Sequence, residues 1–216
     1  MTLSPALRLR LECAALFGIP PLLIYVHGTR TLMIAMLWGG AALAWWLLKH
    51  EPGFSLQAEW NWRAVTRPAL DAVLQRFCMA AFALLFFTFF IAPQSLFSFP
   101  LQRPLFWALV MLLYPVLSVV PQELVFRSLF FRRYADACGR GLVPVLISGL
   151  AFGYIHIFLS NAVAVLLAAF GGILFADTYA RHRSLALVSF EHALYGCWVF
   201  TLGLGRYFYS GYPLHG

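Results

Sequence analysis

The sequence predicts an all-α bundle of membrane-spanning helices, about seven to eight spans, forming one integral membrane domain over 1–216. Three observations carry this. The chain is 62% hydrophobic and only 11% charged, against about 25% charged residues in soluble domains. Its apolar runs approach or exceed the ~20 residues that a helix needs to cross a bilayer. Its basic residues fall in short loops between those runs, which is the pattern of membrane orientation. The net charge of +7 therefore does not point to nucleic acid.

Seven runs are candidate spans: 11–26, 31–48, 77–97, 104–131, 142–159, 161–180 and 184–204. Arg8 and Arg10 before the first run resemble the start of a signal peptide. No small-x-small cleavage pattern follows, so the run reads as a retained helix. The segment 49–76 is the one polar stretch, with Lys49, Glu51, Glu59, Arg63, Arg67, Asp71 and Arg76 around Trp60 and Trp62. It fits either an amphipathic helix on the membrane surface or a solvated linker. Of the 15 Lys and Arg, placing the N-terminus in the cytoplasm leaves only Arg30, Arg103 and Arg206 outside, with Arg127 inside a span. The N-terminus is therefore expected in the cytoplasm. Cys13, Cys78, Cys138 and Cys197 are widely spaced, which indicates neither a disulfide framework nor a zinc knuckle.

The residues out of place are polar. Glu123 and Arg127 sit in the run Pro121-Gln122-Glu123-Leu124-Val125-Phe126-Arg127, amid Leu, Val, Phe and Tyr. One such charge at the bilayer centre costs roughly 2.5–3.5 kcal/mol on insertion scales. Four residues apart, the two share a helix face and partly neutralise each other. His156 and His192 follow in apolar surroundings. Intramembrane ionisable groups read as a site by default; the structural alternative is a buried ion pair that holds the bundle together.

Loop positions give depth. Glu123 lies nine residues before Arg132, and His192 nine after Arg183, each about 13 Å at 1.5 Å per residue. A turn at Gly139-Arg140-Gly141 brings His156 to the same level. Pro115 and Pro121 loosen the helix just before Glu123, and freed backbone groups are tolerated where they line a wet cavity. Gly153 and the pair Gly171-Gly172 permit close helix approach.

A carboxylate and a neutral imidazole around one water make a general base. A second imidazole opposite can donate to a developing oxyanion. These parts suffice for amide hydrolysis without a covalent intermediate. No serine sits in a nucleophile elbow. Zinc held by the two His and the Glu is a competing reading, but HExxH is absent and the ligands would come singly from three helices. Asp177 and Arg181 read as an interfacial i,i+4 pair. His27, His50, His182 and His215 read as solvated.

Three motifs in order resemble the CPBP intramembrane proteases, the CAAX-processing and bacteriocin-processing family, also called type II CAAX prenyl endopeptidase or Abi. They are Gln122-Glu123-Leu124-Val125-Phe126-Arg127 for Glu-Glu-x-x-x-Arg, Phe152 to His156 for Phe-x-x-x-His, and His192 to Gly196 for His-x-x-x-Asn. The resemblance covers about 115–200, within a protease-like core of about 104–204. It implies a helical bundle whose cytoplasm-facing cavity holds a glutamic-type endopeptidase site. The catalytic residues would be Glu123 as base, His156 as its partner on the water and His192 as oxyanion donor, supported by Gln122 and Arg127, with no cofactor and no metal. It also implies a peptide or protein substrate with a membrane-associated segment, cut near a C-terminus or in a precursor, in a prokaryotic inner or plasma membrane. Two positions depart from the pattern. Gln122 stands where the first Glu is expected, and Gly196 where Asn is, which leaves Tyr195 or a backbone N–H as substitute donors. Two other classes stay open: a non-catalytic scaffold or immunity protein of the same family, and a proton-coupled transporter using a Glu/His relay, although no internal repeat supports the latter.

Overall fold

The computed structural model describes residues 4–27 and 30–208. Among them are nine helices and no strand: α1 (Pro5–His27), α2 (Arg30–Lys49), α3 (Leu56–Trp60), α4 (Arg67–Ile91), α5 (Ser98–Gln102), α6 (Pro104–Cys138), α7 (Val143–Leu159), α8 (Ala162–His182) and α9 (Leu185–Thr201). Helices α1, α2, α4, α6 and α8 are long and apolar enough to cross a membrane, and α7 and α9 are shorter apolar helices. The chain is an all-α polytopic bundle and an integral membrane protein.

Two expectations need correction. The span placed at 77–97 begins ten residues earlier, at Arg67. Pro68 in the first turn and the Thr66 side chain, which accepts from the Ala69 N–H, start the helix there, where a proline costs no hydrogen bond. The polar segment 49–76 is thus divided between two helices. Its last part is the start of α4, and α3 is pulled under the bundle by a buried carboxylate. Glu59 is 4% exposed; it accepts from Arg132 at 2.6 and 2.8 Å and from the Tyr179 hydroxyl at 2.5 Å.

Charge gathers at one end of the bundle. Arg133 of α6 donates to Glu12 of α1 at 2.8 Å and to Glu51 beyond α2. Arg10 donates to the Ala137 carbonyl at 2.6 Å. Asp177 pairs with Arg181 at 2.8 Å, as the spacing predicts, and also with Arg76 of α4 at 3.1 Å. The start of α9 joins the same end, where the Ser184 hydroxyl donates to the Trp60 carbonyl at 3.1 Å. His27 and His50 are exposed and His182 partly so; His215 lies outside the described residues.

Helices α7 and α8 make the tightest pair, for lack of side chains. A Cβ at Gly153 would stand 2.7 Å from the Ala169 Cα, and one at Gly172 would stand 2.7 Å from the Gly149 carbonyl oxygen. Small residues at such a seam let backbones approach. Gly171 takes no part, its nearest neighbour being Phe175 of its own helix. The four cysteines are free.

Candidate active site

Helix α6 runs 35 residues, roughly 50 Å at the α-helical rise. It does not break at its prolines. It widens instead into π-helical stretches at Pro115–Val119 and Leu124–Tyr134, a form that absorbs a missing donor and recurs at functional sites. Between them lies the short α-helical piece Val120–Glu123.

Glu123 and Arg127 are both 0% exposed. Glu123 Oε2 lies 3.1 Å from Arg127 Nε, and Glu123 Oε1 lies 2.8 Å from His192 Nδ1. Arg127 also donates from Nη1 to the Ser148 hydroxyl at 3.0 Å, and the hydroxyl passes its own proton to the Phe126 carbonyl at 2.7 Å. The guanidinium carbon stands 5.1 Å from the Phe152 ring centre. Two buried charges so paired avoid the several kcal/mol that an isolated one costs. The His192 ring stacks on Phe175 at 4.6 Å, and its Nε2 meets the Tyr114 hydroxyl at 3.1 Å.

A cavity of about 1060 Å³ opens beside this chain of groups. Its wall is mostly apolar and draws on α1, α2 and α4 as well as α6 to α9. The polar side chains on it include Tyr114, Ser118, Gln122, His156, His192 and Tyr195. His156 sits where α7 tightens into a 3-10 turn. Its Nδ1 is 2.8 Å from the Phe152 carbonyl, so Nδ1 carries the proton and Nε2 the free lone pair. Phe152 lies between the imidazoles, its ring 5.1 Å from His156 and 5.3 Å from His192.

The five residues singled out in the sequence thus meet, in a different division than expected. His156, His192 and Gln122 face the cavity. Glu123 and Arg127 stand behind its wall and do not line it. Gln122 turns its Nε2 back to the Ser118 carbonyl at 3.0 Å and hydroxyl at 2.7 Å. Glu191 points away, to Arg76 Nη2 at 3.1 Å. The Tyr195 hydroxyl is buried in the wall with no hydrogen-bond partner among the described residues. The residue that sequence reasoning missed is Tyr114. Its position just before Pro115 was the available signal. Zinc does not fit either. Both Glu123 oxygens are committed to His192 and Arg127, and among the described residues no group of three or more His, Cys, Asp and Glu is placed to hold a metal ion.

The family model described as Type II CAAX prenyl endopeptidase Rce1-like matches residues 103–198. That stretch holds the polar groups on the cavity wall, from Tyr114 to Tyr195, and the Glu123–Arg127 pair behind it. It is similar to the Rce1-like endopeptidases. The Rce1-like match begins just before α6 and ends inside α9, so α1, α2 and α4, which complete the cavity wall, lie outside it. No curated protein and no solved structure matches the chain.

Proposed function

We propose that this chain is an intramembrane endopeptidase. It hydrolyses one peptide bond of a protein or peptide whose apolar, membrane-associated segment lies in the cavity, using water activated at His156. The observation that carries the reading is that two imidazoles border one apolar cavity, one with a free lone pair and the other backed by a buried carboxylate. His156 Nε2 takes a proton from the water, and the oxygen attacks the carbonyl carbon. The same proton then goes to the leaving amine as the C–N bond breaks. Gln122 offers its amide oxygen to the water but cannot take a proton. Glu123 works through His192, because its burial keeps it from touching the water directly; the carboxylate orients the ring. The positive-inside pattern supports a cytoplasmic N-terminus, with the charged end of the bundle facing the cytoplasm.

The test is cleavage in lipid nanodiscs of fluorescence-quenched peptides anchored by a leucine-rich segment, with wild type, His156→Ala and Glu123→Gln. Loss of cleavage in both variants, with chelators without effect, supports the reading. Gln122 favours a second one, a non-catalytic member that binds such peptides. Binding without cleavage in wild type would select it.

A further inference from the structure

We infer that Tyr114 is a catalytic residue, the hydrogen-bond donor that receives the oxyanion at the end of a chain running Glu123–His192–Tyr114. This deepens the endopeptidase reading and rests on it.

Hydrolysis needs a donor aimed into the cavity where negative charge develops. Most of the polar groups on the wall are already committed. His192 has Nδ1 on Glu123 at 2.8 Å and Nε2 on Tyr114 at 3.1 Å, so neither nitrogen is left for a substrate. The Gln122 amide nitrogen is tied to Ser118. His156 Nδ1 is held by the Phe152 carbonyl. The Tyr195 hydroxyl is buried in the wall. Two hydroxyls remain, those of Ser118 and Tyr114. No charged group stands behind Ser118, whereas behind Tyr114 stands an imidazole hydrogen-bonded to a carboxylate.

That backing has a direction. With both ring nitrogens of His192 protonated, Nδ1–H donates to Glu123. The Nε2–H then donates to the Tyr114 oxygen, and the Tyr114 proton is free to point at the oxyanion. Hydrogen bonds in series polarise one another, so the terminal O–H is a stronger donor than an isolated phenol. No bond to Tyr114 forms or breaks. Water's oxygen bonds to the carbonyl carbon, the C–N bond breaks, and the proton reaches the amine through His156.

A second observation places the phenol independently. Gly196 lies one turn after His192 on α9. A Cβ there would overlap the Tyr114 hydroxyl and ring. The glycine is the notch that seats Tyr114 against His192, so positions on two helices are fitted to each other.

The experiment measures kcat and KM separately for wild type, Tyr114→Phe, Gly196→Ala and the double variant, using the anchored peptides in nanodiscs. Tyr114→Phe keeps the ring and removes the donor, so kcat should fall about 10²–10³-fold with KM little changed. Gly196→Ala should lower kcat similarly by displacing the phenol, and should add little in the Tyr114→Phe background, because both act through one group. Wild-type kcat in Tyr114→Phe, alongside a loss in Glu123→Gln, would overturn the role while leaving the endopeptidase reading intact. A fall in kcat with additive effects in the double variant would also overturn it. If wild type and Gln122→Glu both fail to cleave, the endopeptidase reading fails and the role of Tyr114 with it.

Discussion

Gln122 and Glu123 are adjacent in the chain but occupy different environments. Gln122 lies on the cavity wall, its amide nitrogen 2.7 Å from the Ser118 hydroxyl. Glu123 is fully buried behind that wall, 2.8 Å from His192. The group able to hold a charge is the one that water does not reach, and the group that water reaches cannot be charged.

It follows that Gln122→Glu should speed cleavage. A carboxylate there meets the same water as His156 Nε2. General bases contribute typically about 10²–10⁴-fold, and since His156 already supplies part of this, a gain of about tenfold or more is expected. Initial rates on the anchored peptides decide it, and an unchanged or lower rate would mean that His156 needs no second base.

His156→Gln should lose about 10²–10⁴-fold in turnover, with thermal unfolding in detergent close to wild type. The side chain is only partly buried, and among the described residues its one hydrogen bond is to its own helix. Retained activity would move the base elsewhere.

Arg127→Met should destabilise the bundle by about 3–5 kcal/mol, because it removes the cation beside the buried Glu123 carboxylate and leaves it with His192 alone. Adding Glu123→Gln should restore much of that stability, read as recovery of the unfolding temperature, without restoring activity. A double variant no more stable than Arg127→Met alone would mean that Arg127 acts mainly through Ser148 and the Phe152 ring.

Gly153→Val should break the α7–α8 seam. Even one added carbon meets the Ala169 backbone at 2.7 Å, and overpacking costs typically about 1–3 kcal/mol or more. His156 lies three residues on, so turnover should fall together with the unfolding temperature.

A cysteine introduced at Arg140, in the turn between α6 and α7, should be blocked in intact cells by membrane-permeant maleimide only. Blocking by an impermeant reagent would invert the orientation proposed for the bundle.

Much of this was legible in the chain, because hydrocarbon is an unforgiving solvent. The long apolar runs had to be helices, and the charges inside them had to find partners. Glu123 with Arg127 was therefore readable from spacing, as was the meeting of His156 and His192 from matched depth. What depth does not carry is rotation about the helix axis. The π-helical turns after Pro115 and Glu123 shift every following side chain from its α-helical bearing, so the faces taken by Gln122 and Glu123 were beyond periodicity. Tyr114 was hidden for a related reason: a tyrosine among leucines reads as ordinary membrane sequence until a glycine on another helix is seen to make room for it. The start of α4 was missed because polar residues in 67–76 face partners such as Asp177, which a hydropathy pattern reads as solvent.

Arg133 is a single side chain of α6 that grips Glu12 on α1 and Glu51 beyond α2. One cation thus ties α1 and the segment after α2 to the helix that carries Tyr114, Gln122 and Glu123. The N-terminal helices add apolar wall to the cavity, while its polar groups come from α6, α7 and α9, and Arg133 is one of the contacts that join the two stretches. Sequence change in the first hundred residues can then retune selection, leaving the chemistry as it stands, so long as that fastening is kept.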